Sequence, residues 1–176
     1  ASAAGCAVVA VGGDAVSAFD CGSGAAVDGW PWYAEAEDDA RLDGALKAGG
    51  VQGAALGLRS LLALGDGRVA VAGKAEGGKA VLASLDVGPR GGHAEASAAA
   101  VVDVKGGCVD PVLLARGGKA PPLLACLTAA GAVAVYDAVA ALDRGGSVGA
   151  LATVEGAALL GGEQPVSLQV EANTGG

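Results

Sequence analysis

CAVVAVGGDAVSAFD, residues 6 to 20, places two apolar runs on either side of a glycine turn. The arrangement returns in SLLALGDGRVAVAG, residues 60 to 73, and in PLLACLTAAGAVAVYD, residues 122 to 137. Strands of alternating exposure that are joined by a turn residue tolerating positive φ form β-hairpins. An isolated hairpin is marginally stable in water, so each copy must bury one face. The repetition predicts an all-β chain of antiparallel sheets.

Further apolar segments extend these hairpins. Val27, Trp30 and Trp32 fit a third strand after the first hairpin. KAVLASLDV, residues 79 to 87, fits a third strand after the second hairpin, which itself turns on a strong Asp-Gly signal. Residues 149 to 172 supply two or three more short strands. Three or four small sheets result.

The spacing of the copies favours a propeller. Turn centres fall near residues 13, 66 and 130, so the copies are about 53 and then about 64 residues apart. Propeller blades repeat every 40 to 50 residues or so, which leaves a surplus for insertions. We therefore expect three to four propeller-like blades in an incomplete ring. A β-sandwich is the rival architecture.

Two segments are predicted to be insertions into this pattern. In residues 34 to 50, Leu42 and Leu46 lie four apart and predict one face of a short helix. Residues 88 to 100 are rich in glycine and predict a surface loop. One or two short helical insertions are expected in total.

Composition and charge narrow the possible partners. Ala, Val and Leu dominate the 52% of apolar residues and only 3% are aromatic, so the core must rely on many small contacts. The net charge is −8 and the 11 basic residues are scattered, whereas nucleic-acid binding needs a basic footprint. Mean hydropathy is +0.50, yet no apolar run approaches the roughly 18 to 20 residues of a spanning helix. Residues 1 to 176 are expected to be one segment of a larger propeller domain, without a membrane span.

The four cysteines predict a disulfide and no metal. None lies in a CxxC pair, and the single histidine, His93, is expected to be exposed in a loop. If Gly13 and Asp14 form a two-residue turn, Cys6 lies directly opposite Cys21, within the Cα separation that a disulfide tolerates. The alternative is two buried free thiols. A bridge would imply an oxidising compartment.

The segment AFDCGSGAAVDGW carries a family resemblance. The order of Asp20, then Ser23 and Gly24, then a short apolar strand ending in Trp30 resembles the repeat of quinoprotein-type β-propellers, which is related to the WD40 type. In that family the glycine makes the turn into the outer strand and the tryptophan packs between blades. Trp30 comes two residues later than the usual spacing, and the later copies lack the tryptophan.

The order of segments also resembles the lumenal propeller of the subunit 1 family of the endoplasmic reticulum membrane protein complex. This resemblance implies a non-catalytic scaffold that helps to insert membrane proteins and faces the endoplasmic reticulum lumen. Its partners would be other protein subunits or the remainder of its own propeller. The alternatives are a WD40-like interaction module in a cytoplasmic assembly and, third, a fragment of a quinoprotein dehydrogenase.

Catalytic and cofactor sites are not predicted. Quinoprotein dehydrogenases carry adjacent cysteines and a calcium site with an amide ligand, whereas this chain has no adjacent cysteines and a single asparagine, Asn173. The carboxylate cluster of Glu35, Glu37, Asp38 and Asp39 has no glycine pivot or closing Glu at loop spacing and predicts a solvated acidic face.

The aromatic residues are concentrated in one short segment. Trp30, Trp32 and Tyr33 lie together in GWPWY, in a chain with very few other aromatic residues. They are interpreted as packing residues between blades, and the alternative is an exposed binding surface.

Overall fold

The computed structural model describes residues 7–52, 57–65, 67–88, 92–156, 161 and 167–169, with side chains from residue 13 onward. Eleven strands, two α-helices and one short 3₁₀ turn are found in this part of the chain. The strands are β1 (Ala7–Gly12), β2 (Ala15–Asp20), β3 (Trp32–Tyr33), β4 (Gly57–Gly65), β5 (Arg68–Ala75), β6 (Lys79–Asp86), β7 (Ala96–Val102), β8 (Cys108–Leu114), β9 (Leu123–Thr128), β10 (Ala132–Asp137) and β11 (Ala152–Glu155). The helices are α1 (Ala40–Ala48) and α2 (Ala138–Asp143).

The strands form three antiparallel sheets, which confirms the prediction of a mainly β, antiparallel chain. The N-terminal sheet has the order β1-β2-β3, the central sheet β4-β5-β6-β7 and the C-terminal sheet β11-β10-β9-β8. Within each sheet, therefore, strands that are adjacent in sequence are hydrogen-bonded to each other. Each predicted hairpin is present, as β1-β2, β4-β5 and β9-β10.

The central sheet lies between the other two sheets, because its strands are apolar on both faces. In β5, Val69 and Val71 belong to a core shared with the N-terminal sheet and α1. Ala70 and Ala72, which alternate with them, belong to a second core shared with the C-terminal sheet and α2. Successive side chains of a strand point to opposite faces, so this alternation divides the sheet between two cores. The face toward the C-terminal sheet includes three fully buried alanines, Ala70, Ala72 and Ala80.

The first predicted insertion forms a helix. Leu42 and Leu46 are both buried on α1, as their spacing predicts. The helix packs against β7 and ends at Gly49, where a Cβ would come within 2.6 Å of the Val101 side chain. Only a residue without a side chain allows the end of α1 to approach β7 this closely.

The second predicted insertion is a loop at residues 88 and 92 to 95, as predicted, and is wrong from residue 96 onward. Residues 96 to 100 belong to β7, which pairs with β6 along the edge of the central sheet. Alanine has a weak preference for strands, so the local sequence does not indicate one. The strand is specified by its pairing with β6 and by the two helices that contact it. Residues 89 to 91 lie outside the described part.

Helix α2 is absent from the sequence prediction, which placed helical insertions elsewhere. The Asp137 side chain accepts a hydrogen bond from the Ala140 amide at 2.8 Å and caps the helix. The helix ends at Asp143, and Gly145 and Gly146, both with positive φ, turn the chain just beyond its C-cap. The alanine-rich sequence DAVAALDRGG carries a start signal in Asp137 and a stop signal in its two glycines.

The last predicted strands are found in part. β11 occupies residues 152 to 155 and pairs with β10, whereas most of residues 157 to 172 lies outside the described part. Among the described residues, no helix has the length and apolar character needed to cross a membrane.

Candidate functional site

A cleft of about 510 Å³ opens where the core between the central and C-terminal sheets reaches the surface. We call it the interlayer cleft. Its walls come from three places: the central sheet, helix α2 and the loop that joins β8 to β9. Its lining includes Leu64, Arg68, Ser84, Lys119, Val139, Leu142 and Asp143. A volume of this size falls within the range of small-molecule sites in proteins.

The charge of the cleft is opposite to that of the chain. The chain has 19 acidic and 11 basic residues. The interlayer cleft contains Arg68, Lys119 and one carboxylate, Asp143, and an adjoining cleft of about 160 Å³ adds Arg116. The ion pairs found among the described residues are Lys47–Asp43 and Arg59–Asp110, and Asp86 lies directly opposite Arg68 across the β5–β6 pair. Basic side chains thus outnumber acidic ones in the lining of the cleft, although the protein as a whole is acidic.

Ser84 lines the same cleft and carries an unusual hydroxyl. The residue is 3% exposed, and its Oγ has no hydrogen-bond partner among the described residues. A buried polar group without a partner costs about 1–3 kcal/mol. Its backbone carbonyl is satisfied, because it accepts a hydrogen bond of 2.9 Å from the Ser97 hydroxyl. The side chain of Ser84 therefore keeps a donor and an acceptor available beside the cleft.

The predicted acidic face contains one carboxylate that is not solvated. Asp39 is 1% exposed and is the N-cap of α1, whereas Asp38 beside it is exposed. Its Oδ1 accepts hydrogen bonds from the amides of Arg41 and Leu42, each at 3.0 Å. The sequence prediction is wrong for this residue, because a cap that faces the core is buried with its helix.

The second oxygen of Asp39 joins two more elements. Its Oδ2 accepts a hydrogen bond of 2.8 Å from Nε1 of Trp32 in β3 and another from the amide of Ala96 at the start of β7. The carboxylate thus connects the N-terminal sheet, α1 and the central sheet. All four donors are neutral N–H groups, so Asp39 is a structural junction.

The three clustered aromatic residues occupy different environments. Trp32 is 1% exposed in the core between the N-terminal and central sheets, and Trp30 is half-buried against the same core. Tyr33 is 45% exposed. Trp32 therefore packs between two sheets, while Tyr33 presents its ring at the surface.

The residues that carry the family resemblance form a tight turn. Asp20 Oδ1 accepts hydrogen bonds from the Gly22 amide at 3.1 Å and the Ser23 amide at 2.8 Å, and from the Ser23 hydroxyl at 2.9 Å. These bonds lower the pKa of the Asp20 carboxyl, with the Ser23 amide as the largest cause. Gly24 has a φ of 69°, and Ala26 then bridges to Phe19. The motif is therefore a turn at the end of β2, after which the chain returns alongside that strand at Ala26.

The register on which the predicted disulfide rests is present. Gly12 pairs with Ala15 and Ala7 pairs with Asp20, as a two-residue turn at Gly13 and Asp14 requires. Cys21 is disulfide-bonded. Cys6 lies outside the described residues, and the Cys6–Cys21 pairing stays a prediction.

The other two cysteines form a buried thiol pair that the sequence did not indicate. Cys108 in β8 and Cys126 in β9 are free and lie in the core between the central and C-terminal sheets. The pKa of the Cys126 thiol is raised, first by a hydrogen bond with Cys108 and to a smaller extent by burial. Because the thiolate is the reactive form, this environment suppresses nucleophilic chemistry.

A metal centre is not formed by the described residues, since no group of three or more His, Cys, Asp or Glu side chains lies close enough to hold an ion. His93 is exposed, as predicted.

Comparison of the chain with protein-family models, with curated proteins and with solved structures found no match.

Proposed function

We propose that this chain is a segment of a β-propeller that serves as a non-catalytic scaffold for protein assembly. The observation that carries the proposal is the repeat of the sheets. Their first strands begin at Ala7, Gly57 and Cys108, so the sheets recur after 50 and then 51 residues. This interval is more regular than the spacing of the hairpin turns, because the third hairpin lies one strand later within its sheet. Regular repeats of about 50 residues are typical of propeller blades.

The topology and packing of the sheets support the same proposal. Two sheets are four-stranded and all three are meanders, which is the form of a propeller blade. The sheets contact each other through their faces, and β5 and β6 are buried on both sides. A blade within a ring has this environment, because each of its faces is covered by a neighbouring blade.

The first candidate assembly is the endoplasmic reticulum membrane protein complex, with this chain as part of the lumenal propeller of its subunit 1. The basis is the resemblance of the segment order and of the motif at Asp20, Ser23 and Gly24. A disulfide-bonded Cys21 favours an oxidising compartment such as the lumen. Its partners would be other subunits or the remaining blades.

Affinity purification of the full-length protein from its native cells tests this proposal. The tagged protein should co-purify with other subunits of that complex, and a tag on the propeller should be protected from protease in intact microsomes. Asp39→Asn should reduce the recovery of partners because it weakens the junction between sheets, whereas Asp38→Asn should retain them. A tag that is cleaved in intact microsomes, or recovery without those subunits, would reject this assignment.

The alternative is a WD40-like interaction module of a cytoplasmic assembly, which four reduced cysteines would favour. Mass measurement of the alkylated protein without reductant separates the two, because a Cys6–Cys21 bridge leaves two thiols to react after unfolding. A quinoprotein dehydrogenase fragment is the third candidate. Pyrroloquinoline quinone with calcium should leave the melting temperature unchanged if the chain is a scaffold, and a rise would favour that enzyme class.

A further inference from the structure

We propose that the interlayer cleft binds an organic carboxylate whose charged group is attached to an apolar body. This site is independent of the scaffold proposal, because it rests on the cleft alone. The ligand class follows from three features of the lining: two cationic side chains, three apolar side chains and one hydroxyl without a partner among the described residues.

The cationic side chains of the cleft favour a ligand with a negative charge. Arg68 and Lys119 lie on different elements, the central sheet and the β8–β9 loop, yet both line the cleft. Two cations that converge from separate segments attract an anion, and they outnumber the one carboxylate in the lining, Asp143. The guanidinium of Arg68 can donate two parallel hydrogen bonds to a carboxylate, and the ammonium of Lys119 adds a point charge.

The apolar side chains of the cleft favour a ligand that also carries a hydrocarbon group. Leu64, Val139 and Leu142 line the cleft, and Val139 is 37% exposed on α2. Covering these side chains with a hydrocarbon group removes apolar surface from water. A small inorganic anion would leave them exposed, so the cleft favours a carboxylate that carries an alkyl or side-chain body.

The hydroxyl of Ser84 supplies the third contact. Its Oγ is shielded from solvent and has no partner among the described residues, although the residue lines the cleft. Rotation about χ1 moves a serine hydroxyl between three staggered positions. A carboxylate held by Arg68 and Lys119 would give this donor its missing acceptor. The cost of the unpaired hydroxyl is then explained by binding, as functional sites commonly sacrifice stability.

Titration of the ¹⁵N-labelled protein with matched small molecules tests the proposal. Hexanoate should produce saturable shifts in the amide signals of Ser84 and Lys119. Hexanol and hexylamine, which share the alkyl chain without the negative charge, should not, and acetate should bind at least tenfold more weakly. A tripeptide ending in leucine, compared with its C-terminally amidated form, shows whether the bound carboxylate comes from a free acid or from the end of a peptide chain. Tighter binding of hexanoate indicates a free acid, and tighter binding of the peptide carboxylate indicates a chain end. Both results support the site.

Three variants make the test specific. Arg68→Gln combined with Lys119→Gln should weaken hexanoate binding at least tenfold, whereas Lys105→Gln, an exposed charge outside the cleft, should not change it. Ser84→Ala should weaken binding while leaving the melting temperature unchanged or higher, which a merely structural serine would not do. Absence of saturable shifts, equal shifts with hexanol, or full binding by the double variant would overturn the proposal.

Discussion

Substitution of Asp39 tests whether one carboxylate connects three elements of the fold. Asp39→Ala removes the cap of α1, which costs about 1 kcal/mol. It also leaves two buried donors, Trp32 Nε1 and the Ala96 amide, without their acceptor, at about 1–3 kcal/mol each. The expected loss is therefore about 3–7 kcal/mol of the free energy of unfolding, against a typical total of about 5–15 kcal/mol.

Asp39→Asn separates the two contributions. Asparagine caps helices as well as aspartate, so Oδ1 can still accept from the first turn of α1. Its NH₂ group, however, replaces the oxygen that faces two N–H donors, and the expected loss is about 2–6 kcal/mol. Asp38→Asn is the matched control, since Asp38 is exposed and should change stability by less than about 0.5 kcal/mol.

Urea unfolding monitored by circular dichroism and tryptophan fluorescence provides the measurement. Trp32→Phe removes one donor to Oδ2, so its effect and that of Asp39→Asn should be less than additive in the double variant. The reasoning fails if Asp39→Asn and Asp38→Asn unfold at the same urea concentration. Full additivity of Trp32→Phe and Asp39→Asn would also contradict it.

Three further predictions concern a helix end and the buried thiols. Gly146→Ala should destabilise the protein by about 2–5 kcal/mol in urea unfolding, because its φ is 90° and a Cβ would lie 1.8 Å from the Val101 carbonyl oxygen; Gly145→Ala, with open space around it, should cost only about 1–2 kcal/mol. Stability should fall as pH rises above about 8.5, by up to about 1.4 kcal/mol per pH unit for the Cys126 thiol. The raised pKa means that the unfolded chain releases this proton before the folded protein does, so Cys126→Ala should flatten the decline. In an alkylation time course, Cys108 and Cys126 should react only after unfolding, and fast labelling of either in the native protein would contradict their burial.

Local pattern was sufficient for the hairpins and for α1. Glycine turns between alternating apolar runs specify the β1-β2 pairing, and the interval between Leu42 and Leu46 specifies the buried face of α1. These signals lie within a few residues of each other in sequence. The interactions that stabilise these elements also join residues that are close in sequence, so the elements can be predicted from the sequence alone.

Elements that depend on distant contacts could not be predicted in this way. Strand β7 is written as ASAAAVV, in which most residues have little strand preference, and its pairing with β6 determines its conformation. Likewise, the charge pattern around Asp39 does not show which carboxylate is buried. Its place directly before the helix is a cap signal, but Trp32 and Ala96 complete its environment from other segments. The interlayer cleft combines residues of the central sheet, the β8–β9 loop and α2, none of which carries a motif.

The alanine-rich composition explains why such junctions matter in this protein. Burial of apolar surface contributes roughly 25 cal/mol per Å², so an alanine contributes much less than a leucine at the same position. The alanine face of the central sheet, with Ala70, Ala72 and Ala80 fully buried, also offers little shape to define how the next sheet must lie. Hydrogen bonds between layers supply specificity because their geometry is directional: the Leu113 amide of β8 donates to the Ser60 hydroxyl of β4 at 2.9 Å at this interface, and Asp39 serves the interface on the other side of the central sheet. A chain with small core residues thus relies on a few buried polar contacts to fix the relative positions of its sheets.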